Sequence, residues 1–456
     1  MKKVITLCTL LIISLSSSHV IAKPESIATA SDYEQVLATF INKEGPGVAV
    51  IVSQHGKVLY KAARGMANIE HQVPLKTDSV FRLGSITKQF TAAAIMMLAE
   101  QGKLSIKDDI HKYIPDFPTE GQTVTIENLL THTSGIANYT EDENIWQNLL
   151  TTPTTLDDML AVFAKHPMPL KTGTAMRYSN TGYVLLGKII EVASNETYAD
   201  FIEQHIFKKL AMKSSQYGGR QLIANRVSGY SQTDKGFENS GPVNMMWPHA
   251  AGSLLSTVDD LNTWFSALRD GSLISKASYQ QMISPFILND KNSSNYGFGL
   301  ALFEVNKYEA IGHSGGIHGF ATNAFYIPDV DLYVAVLNNN DSGNPGDLSM
   351  LLAAKALNID IPEFKAVEVD VKKIKAMMGS YRVNEDSLRV LSFENGSIYA
   401  QRDDGRKWLI KAMSDNSFFY EESLSYFSID KNKEGQQIMN FYSGLSTKAN
   451  VAIRQK

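Results

Sequence analysis

The order of strand-like and helix-like segments constrains the fold of this chain more than any other feature. The stretch GVAVIVSQHGKVLYKAARGMAN, residues 47–68, has the apolar runs and the turn at QHGK that predict two strands of a hairpin. Helical patterns alternate with loops from about residue 120 to 285, and strand patterns return over residues 296–338. Strands followed by a helical middle and then by further strands predict an α+β fold rather than a doubly wound parallel sheet.

The C-terminal segment changes in character near residues 357–371. Beyond them, short runs of alternating hydrophobicity follow one another, and the Asn395-Gly396 pair lies between two such runs. An Asn-Gly pair in this setting predicts a tight hairpin. Residues 361–456 are therefore predicted to form a small antiparallel β domain, a sandwich or a barrel, which follows a main domain at residues 23–360.

The first 22 residues have the pattern of a secretory signal peptide. Lys2 and Lys3 precede an apolar run, which ends in a Val20-x-Ala22 cleavage pattern. The run is short for a segment that spans a bilayer. We expect cleavage after Ala22, no membrane span in the mature chain, and a periplasmic or secreted location.

The composition excludes several classes of site. The single cysteine, Cys8, lies inside the predicted signal peptide. A mature chain without cysteine excludes zinc–thiolate sites, cysteine nucleophiles and disulfides. The formal net charge is −4 and no basic run or basic–aromatic patch stands out, which argues against nucleic-acid binding. The histidines lack the spacing of metal ligands, so no metal site is predicted.

The pentapeptide GHSGG, residues 312–316, satisfies the G-x-S-x-G pattern of a nucleophile elbow and makes Ser314 a candidate nucleophile. An elbow needs a helix after the serine, and then an acid and a histidine later in the chain, in that order. The residues after Gly316 instead follow a strand, turn and strand pattern, and the only later histidine is His318. We therefore look for the nucleophile elsewhere.

Ser85 opens the strongest helical pattern of the chain, SITKQFTAAAIMMLAEQGKL, and Lys88 lies three residues later on the same face. The N-terminus of a helix favours the negative charge that develops on an attacking oxygen. A lysine one turn away lowers the cost of deprotonating the serine, either as a base or as a fixed cation. A serine cap followed by a solvated lysine would give the same pattern, so this motif alone does not decide.

Two further pieces accompany the S-x-x-K motif. Tyr178 and Asn180, in MRYSNTGYVLLG, are two residues apart, so on an extended or turn segment their side chains project to the same side. A phenol near two cations can ionise and act as a general base, and an amide side chain can hold a substrate amide. His313 begins the third piece, HSGG, on a predicted strand.

The motifs S-x-x-K, Y-x-N and H-x-G, in this order and at these separations, resemble those of the penicillin-recognising serine hydrolases. This family includes class C β-lactamases, D-Ala-D-Ala carboxypeptidases, D-amino-acid-specific peptidases and related esterases. The resemblance covers roughly residues 31–355, with the stretches FRLGSITKQFTA, LLTHTSGI, YSNTGYVLLG, AAGSLLSTVDDL and GHSGGIHGF in support. It implies an antiparallel sheet flanked by helices and a mostly helical subdomain. A weaker likeness suggests a lipocalin-like C-terminal domain.

The resemblance implies an acyl-enzyme mechanism with Ser85 as the nucleophile. Tyr178, supported by Lys88, takes the proton of Ser85, and later takes a proton from the water that attacks the acyl-enzyme. The backbone N–H groups of Ser85 and Gly316 form the oxyanion hole. No metal and no organic cofactor is implied.

The remaining site residues are assigned by the same resemblance. Asn180 would hold the amide of the acyl side chain, and Ser314 and Gly315 would contact the substrate. His313 would steer the leaving group or the proton of Tyr178.

The resemblance determines the substrate class less directly than it determines the mechanism. His313 replaces the lysine usual in class C β-lactamases, and residues 292–306 contain no Lys or Arg to grip a C-terminal carboxylate. The preferred prediction is hydrolysis of D-amino-acid peptides or peptidoglycan-type stems, in the manner of a D-peptidase or D-Ala-D-Ala carboxypeptidase. Alternatives are β-lactams or carboxylic esters. A different class of protein, a penicillin-binding sensor that is acylated without turnover, also fits. The oligomeric state is left open.

Other residues are given a structural role or are left open. His132 is expected to hold a loop, Arg82 to support the start of the helix at Ser85, and the Met96-Met97 pair to lie in the core. His318 fits equally a place at the rim of the site and a place in a turn.

Overall fold

The computed structural model of the protein describes residues 28–384, 387–421 and 423–455. The predicted signal peptide lies outside the described residues. The helices are α1 (Ala30–Phe40), α2 (Thr87–Glu100), α3 (Ile126–Leu130), α4 (Leu156–Phe163), α5 (Asn180–Ser194), α6 (Tyr198–Ile202), α7 (His249–Gly252), α8 (Val258–Asp270), α9 (Lys276–Met282), α10 (Pro345–Ala356) and α11 (Val371–Met377). Short 3-10 or π turns occur at Gly84–Ile86, Ile110–Lys112, Tyr139–Glu141, Ile145–Leu149, Glu203–Phe207 and Pro328–Val330.

The strands complete the fold. They are β1 (Val48–Gln54), β2 (Lys57–Arg64), β3 (Met66–Asn68), β4 (Val73–Pro74), β5 (Phe81–Arg82), β6 (Gln216–Tyr217), β7 (Tyr230–Thr233), β8 (Gly236–Asn239), β9 (Leu254–Ser256), β10 (Ala301–Val305), β11 (Tyr308–Ile317), β12 (Phe320–Ile327), β13 (Leu332–Asn338), β14 (Gly379–Asn384), β15 (Ser387–Glu394), β16 (Ser397–Arg402), β17 (Trp408–Ala412), β18 (Ser417–Tyr420), β19 (Tyr426–Lys431), β20 (Gln437–Tyr442) and β21 (Asn450–Arg454).

A six-stranded antiparallel sheet forms the framework of the first domain. Its strands lie in the order β10, β11, β12, β13, β1 and β2. The side chains of β1 alternate between two cores, with Ala49 and Ile51 in one and Val48 and Val50 in the other. This alternation follows from the two-residue period of a strand, and both faces of β1 are buried because helices cover each of them. The predicted α+β architecture is confirmed.

The hairpin at the start of the domain was predicted from QHGK and is confirmed. The strands β1 and β2 are joined at His55 and Gly56, which both have positive φ, 50° and 72°. Two consecutive left-handed residues are what a two-residue turn needs if its twist is to match that of the strands.

The helix predicted from Ser85 onward is present, with a short 3-10 turn at its start. Its residues Thr87 to Leu98 are buried without interruption, so α2 lies inside the domain and not on its surface. A helix that carries apolar residues on all of its sides suits such a buried position. The helix packs against α5 and α7, which puts its N-terminus at the junction of the sheet and the helical subdomain.

The C-terminal domain is a closed barrel in which β14 to β21 follow one another as an antiparallel meander, and β14 pairs with β21. Closure leaves no free sheet edge. Asn395 and Gly396 form the predicted hairpin between β15 and β16, with φ of 51° and 82°. Of the two predicted architectures the barrel is therefore confirmed. Its interior is filled with apolar side chains such as Phe418 and Phe427.

The barrel contacts the first domain at α10 and at the turn between β10 and β11. The N–H of Leu424 donates to Asp347 at 2.8 Å, and Lys448 forms an ion pair with Glu304. This turn lies at the opposite end of β11 from Gly316, about eight strand residues away, so roughly 25 Å separates the two. No helix of the described residues is long and apolar enough to cross a membrane.

Candidate active site

Ser85 lies in the 3-10 turn Gly84–Ile86, immediately before α2, and Lys88 lies in the first turn of that helix. The three-residue spacing puts both side chains on one face, with Lys88 Nζ 3.1 Å from Ser85 Oγ. The Ser85 side chain is partly exposed, whereas Lys88 is fully buried. The partly exposed hydroxyl of Ser85 is therefore within hydrogen-bond distance of the buried amine of Lys88.

Lys88 has two further partners, and both are oxygen atoms that can only accept. Its Nζ lies 2.8 Å from Asn180 Oδ1 and 2.8 Å from the carbonyl oxygen of Ala251. Burial lowers the pKa of Lys88 well below its ordinary value, because the charged form loses solvation and no carboxylate of the described residues pairs with it. A neutral amine has two N–H groups for the two carbonyl oxygens and one lone pair for the Ser85 hydroxyl.

Tyr178 approaches Ser85 from a loop that leads into α5. Its phenol forms a side-chain hydrogen bond with Ser85, and burial raises its pKa above the ordinary value. Lys88 Nζ lies 4.8 Å from the centre of the Tyr178 ring. The sequence argument relied on two cations beside this phenol. Among the described residues Lys88 alone fills that role, and its own pKa is lowered, so the neutral phenol is the favoured form.

His132 holds the Tyr178 loop, as expected. Its backbone carbonyl accepts from the N–H of Arg177 at 2.9 Å, and its Nδ1 accepts from the N–H of Ser179 at 3.1 Å. Its ring lies 4.2 Å from that of Tyr178, centre to centre. Tyr178 is thus fixed through the residues on both sides of it and through its ring.

Asn180 is the first residue of α5, after the N-cap Ser179. Its Oδ1 faces Lys88, and its Nδ2 donates to Thr140 Oγ1 at 3.3 Å. Since an amide nitrogen carries two hydrogens, one remains for a ligand in the cleft that Asn180 lines. The predicted convergence of Tyr178 and Asn180 on one side is present.

His313 lies behind the site, and both of its ring nitrogens are engaged. Nδ1 lies 2.5 Å from the carbonyl oxygen of Ser314, and Nε2 lies 2.8 Å from Tyr296 Oη. Because a carbonyl can only accept, Nδ1 carries the hydrogen and Nε2 accepts from Tyr296. Burial lowers the pKa of His313 to about 4. These contacts favour a neutral ring that holds the strand, and the predicted proton-steering role stays a prediction.

Near its end, strand β11 alternates between an exposed and a buried face. Ser314 and Gly316 are exposed on one face, and Gly315 is buried on the other. A Cβ at Gly315 would lie 2.0 Å from the Leu83 carbonyl oxygen, whereas one at Gly316 would meet nothing within 4 Å. Gly315 therefore permits the strand to approach the turn before Ser85, a packing role rather than the predicted substrate contact.

Gly84 brings Ser85 and Gly316 together. It has φ of +54°, and a Cβ there would lie 2.8 Å from the backbone nitrogen of Gly316. Only glycine satisfies both the left-handed conformation and this close approach. The N–H of Gly316 therefore borders the turn that carries Ser85, as an oxyanion hole requires.

An open cleft lies in front of Ser85. The cleft is lined by Gly84, Ser85, Tyr139, Thr140, Trp146, Leu150, Asn180, Val243, Pro248, Ala251, Gly252, Gly316, Ile317 and His318. None of these residues is a lysine, an arginine or an acid, so the wall of the cleft is uncharged above the buried Lys88.

The sequence reasoning missed three contributors. Trp146 is 48% exposed and stands edge to face with His318, with ring centres 5.0 Å apart, at the rim of the cleft. The available sequence signal was the residue type, because tryptophan is enriched at interfaces. Tyr296, the partner of His313, and the carbonyl of Ala251, the partner of Lys88, gave no signal because they are set by tertiary contacts alone.

Comparison with known protein families establishes the family to which the chain belongs. The β-lactamase family model matches residues 33–358. This chain belongs to the β-lactamase family. The predicted resemblance to the penicillin-recognising serine hydrolases is confirmed, and the protein is a serine hydrolase of that fold.

Relatives support the assignment along most of the chain. Penicillin-binding protein 4* of Bacillus subtilis (strain 168) is 30% identical over 381 residues, 77% of this chain and 83% of that protein. The octameric penicillin-binding protein homologue of Pyrococcus abyssi superposes with a TM-score of 0.66 at 26% identity, over 93% of this chain and 97% of that one. That match extends into the barrel domain.

A third relative is a D-stereospecific amidohydrolase from Streptomyces sp. It is 26% identical, with a TM-score of 0.62, over 72% of this chain and 98% of that chain. The first domain of this β-lactamase-family protein is therefore similar to a D-stereospecific amidohydrolase.

Proposed function

We propose that the protein hydrolyses amide bonds of D-amino-acid peptides or peptidoglycan-type stems through an acyl-enzyme on Ser85. The observation that carries this proposal is the position of Ser85 Oγ between the buried Lys88 amine, 3.1 Å away, and the phenol of Tyr178. A serine hydroxyl held by a base and a second proton carrier is the arrangement of an activated nucleophile.

In acylation, Ser85 Oγ forms a bond to the substrate carbonyl carbon while its proton passes to Lys88. Burial keeps Lys88 neutral beforehand, and the carbonyl oxygens of Asn180 and Ala251 accept from it in either protonation state. The electron pair of the carbonyl moves to its oxygen, which the N–H groups of Ser85 and Gly316 stabilise. Such donors are each worth roughly 10²–10³ in rate.

Collapse of the tetrahedral intermediate breaks the carbon–nitrogen bond. Tyr178 gives its proton to the leaving nitrogen, and the proton held by Lys88 replaces it. In deacylation, water attacks the ester carbon and its proton passes to the same pair. The bond between this carbon and Ser85 Oγ then breaks, the acid is released, and Ser85 regains its hydrogen from the pair. Lys88 and Tyr178 therefore act as one unit, with Lys88 as the resting base.

The uncharged cleft favours an amidase or endopeptidase over a strict carboxypeptidase. A carboxypeptidase or a β-lactamase must grip a carboxylate on the leaving side, which calls for a fixed cation. His313 is neutral with a pKa of about 4, and the lining residues of the cleft include no lysine or arginine. The relationship to a D-stereospecific amidohydrolase supports the same choice. Esters and β-lactams stay as alternative substrates, because the same acyl-transfer chemistry cleaves the ester bond and the β-lactam amide bond.

A non-catalytic alternative is a penicillin-binding sensor that is acylated without release. Tyr178, fixed beside Ser85 by the His132 contacts, argues against it because it supplies a deacylation route. We further propose that the chain is exported, on the strength of the signal-like residues 1–22.

The experiment is fluorophosphonate labelling of residues 23–456 with peptide mass spectrometry, together with turnover of D-alanine p-nitroanilide and its L-isomer. We expect one adduct on Ser85, lost in Ser85→Ala and kept in Ser314→Ala, and sustained turnover of the D-isomer. A burst without turnover would establish the sensor instead. An adduct on Ser314 would overturn the assignment of the nucleophile.

A further inference from the structure

A second pocket adjoins the Ser85 cleft and contains two arginines, Arg82 and Arg226. It shares His318 with the cleft, and Pro242 of this pocket neighbours Val243 of the cleft in sequence. The two spaces therefore adjoin each other at His318. The remaining wall is formed by the polar residues 228–229 and 239–241 and by the apolar side chains of Val227 and Phe320.

Neither arginine has an acidic partner or a side-chain hydrogen bond among the described residues. Arg82 is partly buried, with its guanidinium 5.7 Å from the centre of the Phe320 ring. Burial and the charge of Arg226 lower its pKa to about 10, so it remains charged at neutral pH. A partly buried guanidinium without a counter-ion, beside a second one, is unfavourable unless an anion joins it.

No acid lines this pocket, and the carboxylate that bonds its wall residue Asn239 is already engaged. Glu70 accepts from Tyr230 Oη and from Asn239 Nδ2, each at 2.6 Å. Its pKa is lowered by these hydrogen bonds, with no contribution from either arginine. The support role that the sequence suggested for Arg82 does not account for the open guanidinium.

The pocket lies on the acyl side of the nucleophile. Tyr178, which protonates the leaving group in the proposed mechanism, stands on the side of His313, with ring centres 6.1 Å apart. From Gly316, at the oxyanion hole, the chain runs away from His313 through Ile317 to His318. Two strand residues span roughly 7 Å, so a group in the arginine pocket belongs to the acyl part of the substrate, several bonds from the scissile carbonyl.

We propose that Arg82 and Arg226 form a subsite for a carboxylate carried by the acyl portion of the substrate. This inference rests on the proposed function for the direction of the substrate, and it narrows the substrate class to amides with an acidic acyl group. Guanidinium groups suit this role because their planar N–H pairs match the two oxygens of a carboxylate.

The test compares N-succinyl-D-alanine p-nitroanilide with its neutral succinamoyl analogue, which differ only in the terminal carboxylate or amide. Arg226→Gln removes the exposed arginine, and Arg220→Gln removes an exposed arginine of the same segment outside the pocket. We expect Arg226→Gln to lower kcat/KM for the anionic substrate about tenfold, as loss of a charged hydrogen bond predicts. The neutral substrate should change less than about twofold, and Arg220→Gln should alter neither.

Binding to Ser85→Ala gives a readout that does not require turnover. The anionic compound should bind this variant about tenfold more tightly than the Ser85→Ala/Arg226→Gln double variant, and the neutral compound should bind both equally. Equal effects on the two compounds in either assay would overturn the subsite. Absence of Ser85 labelling and of turnover, with selective anion binding retained, would refute the proposed function and leave the subsite standing.

Discussion

Lys88 Nζ lies 3.1 Å from Ser85 Oγ, and no carboxylate of the described residues pairs with this fully buried lysine. A buried ammonium without a counter-ion is costly, so the neutral amine is favoured. The sequence left open whether this lysine is a base or a fixed cation, and its burial favours the base.

Lys88→Arg tests whether Lys88 acts as a base or only as a fixed cation. Arginine keeps the positive charge but does not lose its proton at any ordinary pH, so we expect Ser85 labelling and turnover to fall by roughly 10²–10⁴, as for other lost proton acceptors. Lys88→Met should lower Ser85 labelling and turnover by a similar factor. Lys103→Met, at an exposed lysine just after α2, is the control and should not change either rate. An active Lys88→Arg variant would show that charge alone suffices.

The pH dependence of Ser85 labelling should report the proton on Lys88. Because the neutral amine is the reactive form, the rate is lost as pH falls through the lowered pKa of Lys88, and the midpoint should lie well below the ordinary lysine value near 10.5. Tyr178, whose pKa is raised, stays protonated throughout. Labelling rates from pH 4.5 to 10 test this. A rate that still rises steeply at pH 10, with no plateau, would contradict it.

Local sequence was sufficient for the parts of the fold and site that depend on spacing. The pairs Ser85 with Lys88 and Tyr178 with Asn180 converge because their spacing on a helix start and at a helix entry fixes their directions. The turn at Asn395-Gly396 follows from backbone conformation alone. Each of these features lies within a few residues of sequence.

Contacts between distant segments could not be predicted in this way. The protonation of Tyr178 depends on burial and on how many cations surround it, and both are set by packing. His313 is engaged by Tyr296, 17 residues earlier, and Arg82 faces Arg226, more than 140 residues later. Closure of the barrel through β14 and β21 likewise depends on the two ends of the domain meeting.

Gly315 and Gly316 should respond differently to alanine. A Cβ at Gly315 would lie 2.0 Å from a backbone oxygen of Leu83, so Gly315→Ala should lower the free energy of unfolding by roughly 1–3 kcal/mol and displace the turn before Ser85. Gly316→Ala keeps its N–H and adds a methyl group into open space. Thermal unfolding and Ser85 labelling of both variants provide the check. Equal stability of the two variants would mean that β11 and the turn before Ser85 are not closely packed at Gly315.

His313→Gln tests whether the histidine moves a proton. Both ring nitrogens are engaged, at 2.5 Å with Ser314 and 2.8 Å with Tyr296, and glutamine offers a donor and an acceptor of similar reach but cannot titrate. We expect kcat/KM to fall less than about tenfold, because loss of a true acid–base residue costs roughly 10²–10⁴. The pH profile of Ser85 labelling should keep its midpoint, and Tyr296→Phe, which removes the partner of Nε2, should behave similarly. A loss of 10² or more, accompanied by disappearance of a limb of the profile, would establish His313 as a proton carrier and show that its contacts rearrange when substrate binds.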